Sequence, residues 1–384
     1  MSEPRTILIF IGHYLPGTKS GGILRSVENM VSILGNKYKF KIITRDKDVN
    51  SNETYKNIKI NKWNQVGNAE VFYLNEDKSK FKNLIALINA TSHDFLFINS
   101  FFDKLSIKII FANKLKKLPS QHIIISPRGE FAWASFKLRL IRKLFYIILS
   151  RLIGLYSRLE WHVSSIHELK DLKKIMHIND KKIRIAMDLP KIVTMQDYSH
   201  ESKHLYDDRL KIIFLSRISE EKNLDIALEI ISEIKRNIIF EIYGPIDSTI
   251  YWKKCKKIID NLPKNIVVNY NGFVDPNDVL DIFSRYDLFL FPTGGENFGH
   301  VIAESISVGT KVVLSKNTPW LDLEKDNLGW NFELNEIDKF RDTIEQTSKL
   351  SLKDRITERE KVRKSFIIRF QNSKSLDENL NLFR

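Results

Sequence analysis

Short apolar runs alternate with longer stretches of helical spacing along two parts of the chain. In the first part the apolar runs are residues 6–12, 40–44, 95–99, 122–126, 159–164 and 183–187. In the second part they are residues 211–215, 238–243, 266–270, 288–291 and 311–314. Stretches such as 25–34 and 104–118 carry apolar residues at helical spacing between them. Strands that alternate with helices predict an α/β fold with parallel, doubly wound sheets.

A polar segment, residues 194–209 (TMQDYSHESKHLYDDR), separates the two series. A chain of 384 residues is also too long for one ordinary core. We therefore predict two Rossmann-like domains, an N-terminal one over residues 1–200 and a C-terminal one over 209–365. The charged tail 354–384 has helical spacing.

Composition narrows the class of protein. The apolar fraction is 43% and the charged fraction 28%, as in folded proteins. The single cysteine, Cys255, excludes an intrachain disulfide and favours a reducing compartment. The first residues lack the features of a signal peptide, and no apolar run is long enough to span a bilayer. The net charge of +14 suits a nucleic acid, an acidic membrane or a phosphorylated ligand, and charge alone does not choose among them.

The most informative segment is residues 292–304, PTGGENFGHVIAE, in which a glycine loop joins a strand to a helix that begins near Gly299. Free N–H groups and the helix dipole suit phosphate there. Glu296 lies in the loop, and Glu304 is expected about two turns into the helix. A carboxylate beside a phosphate site would repel the phosphate, so we expect Glu296 and Glu304 to bind sugar hydroxyls instead. The alternative is a carboxylate that only stabilises the helix dipole.

Two further segments each follow the first predicted strand of a domain. In residues 215–223, LSRISEEKN, the cations Arg217 and Lys222 lie where ligands bind in open α/β sheets and suit a diphosphate leaving group. The alternative is a solvated turn in which Glu220 and Glu221 pair with these cations. The dipeptide Gly21-Gly22 opens a helix whose amides suit phosphate, or it only forms a tight turn.

These segments together resemble retaining glycosyltransferases of the two-domain GT-B fold, group 1 type (glycosyltransferase family 4). The matching segments cover nearly the whole chain. They are Gly21-Gly22 with Arg25-Ser26, residues 126–130 (SPRGE), 162–168, 215–223, 243–245, 271–274, 296–304, 309–313 and 318–320.

The resemblance implies a nucleotide-sugar donor, with UDP favoured, bound in a cleft that the two domains face. It also implies that the C-terminal helix crosses back, so that residues 366–384 pack on the first domain. The implied donor-binding residues are Gly21, Gly22, Arg217, Lys222, Gly244, Gly272, Phe273, Val274, Glu296, Asn297, Phe298, Gly299 and Glu304. The implied catalytic residues are Glu296, Arg217, Lys222 and Arg128. Many relatives carry a histidine in the loop of Arg128, and its role falls here either to Arg128 or to no residue. Asp188 stands where relatives have an Asn-Gly pair and receives no role.

Transfer in this family retains the anomeric configuration and requires neither metal nor cofactor. We expect a hexosyltransferase of cell-surface glycan or polysaccharide assembly, with a glycan or lipid-linked acceptor, in the cytoplasm or on the inner face of the membrane. The oligomeric state stays open. The alternatives are a basic nucleic-acid-binding protein on an α/β scaffold and a glycan phosphorylase. The pair Asp46-x-Asp48 is similar to a metal-binding motif of another transferase fold, but a solvated turn is the preferred interpretation.

Residues 131–159 contain no acidic residue, and residues 137–158 are the candidate contact with an anionic membrane. Arg139, Arg142 and Lys143 share one helical face, and Leu140, Ile141, Leu144 and Phe145 lie opposite. The alternative is a pair of helices packed inside the first domain. Residues 146–156 are apolar nearly all round, which favours burial of that part.

Overall fold

The computed structural model describes residues 3–119, 122–137, 139–191 and 209–384. The chain divides into two compact units, residues 1–189 with 374–384, and residues 190–373. Most of the predicted interdomain segment, residues 194–208, lies outside the described residues.

The first unit contains an eight-stranded sheet in the order β3-β4-β2-β1-β5-β6-β7-β8, parallel except for the β3–β4 pair. Its strands are β1 (Thr6–Phe10), β2 (Lys39–Arg45), β3 (Trp63–Val66), β4 (Ala69–Leu74), β5 (Phe95–Asn99), β6 (His122–Ser126), β7 (Glu160–Val163) and β8 (Ile183–Ile185). Its helices are α1 (Gly22–Leu34), α2 (Phe81–Ala90), α3 (Lys104–Lys114), α4 (Trp133–Phe136), α5 (Leu140–Leu152) and α6 (Ile166–Met176), with α13 (Ser375–Asn381) from the C-terminus.

The second unit contains a six-stranded parallel sheet in the order β11-β10-β9-β12-β13-β14. Its strands are β9 (Leu210–Leu215), β10 (Ile238–Tyr243), β11 (Ile266–Gly272), β12 (Leu288–Phe291), β13 (Lys311–Ser315) and β14 (Gly329–Phe332). Its helices are α7 (Leu224–Ser232), α8 (Thr249–Ile259), α9 (Val279–Phe283), α10 (His300–Ser307), α11 (Ile337–Thr347) and α12 (Leu352–Asn372). The predicted α/β class with two doubly wound sheets is confirmed.

The central strands of both sheets are buried on both faces, which is why they stand out as uninterrupted apolar runs. All residues of β5 and of β12 are buried. Strand β4 is mostly buried, but none of the predicted apolar runs covers it. The antiparallel strand β3 was not predicted either, because it lies at the sheet edge and its residues are partly exposed. The edge strand β14 was missed for the same reason: three of its four residues are only partly buried.

The C-terminal tail forms two helices rather than one. Helix α12 ends at Asn372 in the second unit, where the Arg355 guanidinium lies 2.7 Å from the buried Asp287 carboxylate. The return to the first unit begins at Lys374, so residues 366–373 belong to the second unit. There Tyr38 Oη donates to the Leu380 carbonyl at 2.8 Å, and Arg5 Nη1 donates to the Phe383 carbonyl at 2.7 Å.

Helix α5 differs from expectation. The expected burial of residues 146–156 holds for Ile147, Leu155 and Tyr156. It is wrong for four large apolar side chains, which are exposed: Ile148, Leu149, Leu152 and Ile153. Among the described residues, no helix has the length and hydropathy needed to cross a membrane.

Candidate functional site

Two loops meet at the carboxyl edge of the second sheet. One follows β9 and spans residues 216–223; the other follows β12 and spans residues 292–299. The Gly294 N–H donates to the Glu221 carbonyl at 2.7 Å, and Asn223 Nδ2 donates to the Pro292 carbonyl at 2.8 Å. Asn223 holds a left-handed conformation with φ 53°, which asparagine tolerates well. Because these bonds join the loops, their charged side chains are brought together.

Lys222 and Glu296 form the centre of this site. Lys222 Nζ lies 2.7 Å from Glu296 Oε1 and 3.2 Å from the Gly295 carbonyl oxygen. Both side chains are largely buried, with exposed fractions of 10% and 18%. An ammonium group has three donors. The described residues accept from two of them, which leaves the third for a bound oxygen. Glu296 Oε2 accepts no hydrogen bond from the described residues, so it is available for a hydroxyl donor.

Arg217 occupies the rim of the same edge. Its Nη1 lies 2.6 Å from Asp247 Oδ2, and its side chain is 59% exposed. An exposed ion pair of this kind contributes little to stability. Arg217 can therefore leave Asp247 for a ligand anion at small cost. The alternative pairing of these cations with Glu220 and Glu221 is wrong: their partners are Asp247 and Glu296.

The glycine loop presents a row of backbone donors. Within the described residues, the N–H groups of Asn297, Phe298 and Gly299 donate no hydrogen bond. Gly299 has φ 77° and immediately precedes α10. A left-handed glycine at a helix N-terminus directs N–H groups outward and favours an anion there.

Two contacts fix the shape of this loop. Trp320 Nε1 donates to the Phe298 carbonyl at 2.6 Å, and the Glu296 N–H donates to the Asn317 carbonyl at 3.0 Å. Trp320 is buried and its ring lies 5.5 Å from that of Phe298. Trp320 therefore supports the loop.

Glu304 lies closer to the loop than expected. It is the fifth residue of α10, a little over one turn from the helix start rather than two. Its side chain is partly exposed. The expectation was wrong in its count: even from Gly299, five residues span only about 1.4 turns at 3.6 residues per turn.

The remaining predicted donor residues lie at the ends of β10 and β11, at the same sheet edge. The Gly244 N–H donates to the Gly272 carbonyl at 2.7 Å. Phe273 is exposed, whereas Val274 is half-buried against the core. The strand order β11-β10-β9-β12 places these residues in a row with Arg217, Lys222 and Glu296.

Several supporting residues of the second unit were not predicted as site residues. Asn223, Asp247, Thr293 and Asn317 act by bonding a loop backbone or a predicted cation. Asn223 and Thr293 lie inside predicted segments but make contacts that only the folded chain defines.

In the first unit, Arg128 and Asp188 meet at the carboxyl edge of the first sheet. Arg128 Nη1 lies 2.7 Å from Asp188 Oδ1, and Arg128 Nε donates to Asn99 Oδ1 at 2.9 Å. Ser26 Oγ donates to Asp188 Oδ2 at 2.7 Å. Asp188, which had no assigned role, therefore ties α1 to the loop after β6. Arg128 is almost completely buried, and its Nη2 has no hydrogen-bond partner among the described residues.

The glycines near this network differ in conformation. Gly21 has φ 63° and open space around its Cα, and Gly22 is the first residue of α1. Gly129 has φ 76°, and its N–H donates to the buried Glu168 at 2.7 Å. Desolvation raises the pKa of Glu168.

The pair Asp46 and Asp48 supports loop structure. Asp48 Oδ2 accepts hydrogen bonds from the Thr18 and Lys19 N–H groups at 2.9 and 3.3 Å. Asp46 is buried, and its carbonyl accepts from the Tyr55 N–H. The Asp48 contacts anchor the loop that precedes Gly21-Gly22. The solvated-turn interpretation fails for Asp46, because this residue is buried.

His162 is buried near the carboxyl edge of the first sheet as a neutral imidazole. Its Nε2 donates to the Ala186 carbonyl at 2.9 Å, and Nδ1 accepts from Ser126 Oγ at 3.0 Å. Desolvation, reinforced by Arg128, lowers the pKa of His162 from 6.5 to about 4. The unfolded chain therefore binds the proton first as the pH falls.

Acidification between pH 6.5 and 4 is expected to remove up to about 3 kcal/mol of stability through His162. Above about pH 7.5 the residue is neutral in both states and contributes almost no slope. Urea unfolding at pH 7 and pH 4.5 measures the effect, and His162→Gln should reduce the difference. The exposed His177→Asn should not change it; an unchanged slope in His162→Gln would contradict the assignment.

Comparison with known proteins supports the resemblance to glycosyltransferases. Residues 195–365 match the family model of glycosyl transferases group 1. A processive diacylglycerol alpha-glucosyltransferase of Acholeplasma laidlawii is 24% identical over 224 residues, which is 56% of this chain. That alignment spans 65% of the relative's length, a little less than two thirds.

Solved structures resemble the whole chain. Anabaena Alr3699/HepE, in complex with UDP and glucose, has a TM-score of 0.67 at 13% identity and covers 98% of both chains. A glycosyltransferase from Rickettsia africae has a TM-score of 0.65 at 15% identity, over 99% of this chain and 98% of that one. The nucleic-acid-binding alternative is not favoured. Residues 195–365 thus carry the sequence pattern of the glycosyl transferases group 1 family, in a chain with the GT-B fold.

Proposed function

We propose that this protein transfers a sugar from a nucleotide-sugar donor, with UDP as the favoured nucleotide, to a glycan or lipid-linked acceptor. Transfer proceeds with retention, without a metal ion, in cell-surface glycan assembly. The observation that carries the proposal is the Lys222–Glu296 pair, 2.7 Å apart beside the unbonded N–H groups of residues 297–299. One end of this arrangement suits a phosphate and the other a sugar hydroxyl.

Each side chain receives a distinct task in this proposal. The third Nζ donor of Lys222, the Arg217 guanidinium and the loop N–H groups bind the donor diphosphate. Glu296 Oε2 accepts from a hydroxyl of the transferred sugar, and Glu304 accepts from the ribose hydroxyls. Gly244, Gly272, Phe273 and Val274 line the base. Gly21, Gly22 and Arg128 of the first unit are assigned to the donor phosphate and sugar.

The proposed reaction breaks the bond between the anomeric carbon and the diphosphate oxygen. The acceptor hydroxyl attacks from the same face, so the configuration is retained, and its proton passes to the departing phosphate oxygen. Lys222 and Arg217 stabilise the negative charge that develops on the diphosphate. Glu296 is held by Lys222 and serves to bind the sugar rather than to attack it.

A lipid-linked acceptor is favoured by the relative that is named for diacylglycerol. Anomeric coupling constants of the product, measured by NMR, test retention independently of the acceptor's identity.

Calorimetry and thermal unfolding with UDP-, GDP- and ADP-sugars, in the presence of EDTA, test the donor. A true donor at 100 times its Kd should stabilise the protein by about 2.7 kcal/mol, more than the bare nucleotide at equal concentration. Lys222→Ala should abolish the selective shift. Absence of stabilisation by every nucleotide and nucleotide sugar would refute the proposal, and loss of binding in EDTA would refute metal independence.

A further inference from the structure

Helix α5 exposes an apolar face that the described residues of its own unit leave uncovered. Ser150 and Ile147 face the protein, while Leu140, Lys143 and Tyr146 are half-buried. The opposite face carries six exposed apolar side chains. They are Ile141, Leu144, Phe145, Ile148, Leu149 and Leu152. At 3.6 residues per turn these six form one continuous arc of roughly 140°. Two of them, Ile141 and Leu152, are 84% and 79% exposed, and the six form one contiguous patch instead of being scattered singly over the surface.

Cations border this apolar arc on both sides. On the same helical spacing, exposed Arg142 falls just beyond one edge and exposed Arg151 just beyond the other. Exposed Lys137 and Arg139 precede the helix, and exposed Arg158 follows it. The sequence from Phe131 to Leu159 has no carboxylate. The expected grouping of Lys143 with Arg139 and Arg142 is wrong, because Lys143 Nζ turns inward to the Ser135 carbonyl at 2.7 Å.

Neighbouring elements extend the same surface chemistry. Lys143 joins α5 to α4, where the Trp133 side chain is 68% exposed. Tryptophan is enriched at the boundary between headgroups and acyl chains. At the other end of α5, Lys114 Nζ donates to the Gly154 carbonyl at 3.2 Å, which brings the end of α3 alongside. That end carries the exposed Leu115, with Lys116 and Lys117 next in the chain.

We infer that the exposed face of α5, flanked by Arg142 and Arg151 and extended by Trp133, docks on an anionic lipid bilayer. The helix lies in the plane of the interface, its apolar arc enters the acyl boundary, and its arginines contact lipid phosphates. This inference rests on the surface of the first unit and is independent of the proposed sugar transfer.

A second copy of the chain fits this face less well. In a symmetric dimer the same patch meets itself. Two such faces would bring arginines against arginines without a carboxylate to pair with, and like charges across an interface are unfavourable. Lipid phosphates supply the missing opposite charge.

Sedimentation with vesicles tests the inference directly. The full chain should bind vesicles of equal parts phosphatidylglycerol and phosphatidylcholine, and bind pure phosphatidylcholine at least tenfold more weakly. Phe145→Ser/Leu152→Ser should weaken binding to the anionic vesicles at least tenfold, since two apolar groups leave the interface. The matched control is Ile250→Ser, which removes an 82% exposed apolar residue from α8 of the second unit and should bind normally.

Variants that remove positive charge test the electrostatic contribution to vesicle binding. Arg142→Gln/Arg151→Gln should lower binding at least tenfold at low salt and reduce its salt dependence. Lys256→Gln/Lys257→Gln removes two exposed cations from α8 and should have little effect. Fluorescence of Trp133 should be quenched by lipids brominated in the acyl chain, and Trp133→Phe should remove that quenching.

Three outcomes would overturn the inference. They are equal binding to neutral and anionic vesicles, unchanged binding by the α5 variants, and a dimer that fails to bind vesicles and becomes monomeric in Phe145→Ser/Leu152→Ser. Nucleotide-sugar calorimetry without vesicles on the same variants should be unchanged. A failure of donor binding in every form would count against the proposed function and leave the membrane result standing.

Discussion

Replacement of Lys222 by alanine is expected to lower the rate of sugar transfer by at least about 100-fold, as removal of one positioned donor to developing charge does in other enzymes. The variant loses the ammonium that we propose neutralises the leaving diphosphate. It also leaves the largely buried Glu296 without its partner. Initial rates at saturating donor, with calorimetry for the donor Kd, measure the effect.

The chain offers a matched control for this variant. Lys311 Nζ lies 2.7 Å from Glu358 Oε2, with similarly low exposure, at the opposite edge of the same sheet. Lys311→Ala removes a comparable ion pair and should keep normal transfer in the folded protein. Near-normal transfer by Lys222→Ala, or an equal loss in both variants, would disprove the catalytic assignment of Lys222.

Glu296→Gln separates the two ends of the site. It keeps the shape of the side chain and removes the charge that orients Lys222. If Glu296 binds the transferred sugar, the variant loses more affinity for the UDP-sugar than for UDP. Equal losses for both ligands would instead assign Glu296 to positioning Lys222.

Substitution of Gly244 by alanine is expected to destabilise the second unit by more than about 3 kcal/mol. Gly244 has φ 131°, which side chains rarely adopt, and an added Cβ would lie 1.8 Å from the Ser216 carbonyl oxygen. Relief of this clash requires the ends of β9 and β10 to separate. The loop that carries Arg217 begins at this end of β9. Urea unfolding monitored by circular dichroism measures the loss.

Gly272→Ala is the matched comparison. Gly272 also has positive φ, 75°, but no atom lies within 4 Å of the added Cβ. Backbone strain alone should therefore cost about 1 kcal/mol. Similar stability of the two variants would show that strand ends relax around Gly244. If Gly244→Ala does not fold, soluble yield beside Gly272→Ala still reports the difference.

The sequence located most strand ends because buried parallel strands are largely apolar; the buried strand β4 is the exception, since no predicted run covers it. Runs such as 122–126 and 288–291 coincide with β6 and β12. Edge strands β3 and β14 carry polar, partly exposed residues and therefore gave no such pattern. The predicted burial of residues 146–156 failed for a related reason. An apolar helix face has the same sequence periodicity whether or not the rest of the protein covers it.

Local order also determined which residue types stand at the ends of the strands of the second sheet. The glycine loop, Arg217, Lys222, Glu296 and Glu304 are all identifiable from residue order alone. Their chemistry follows from residue type and from position after a strand, and both are properties of the linear chain.

Only the tertiary structure determined which charged side chains pair with each other. Lys222 meets Glu296 across 74 positions of sequence, and Arg128 meets Asp188 across 60. Such pairs depend on strand order, on left-handed residues such as Asn223, and on loop-to-loop hydrogen bonds, none of which has a local signature. The sequence by itself therefore determined the fold class and the chemical inventory of this protein. The folded chain determined which charges meet, which are buried, and which apolar face is left exposed, because these depend on the packing of segments distant in the chain.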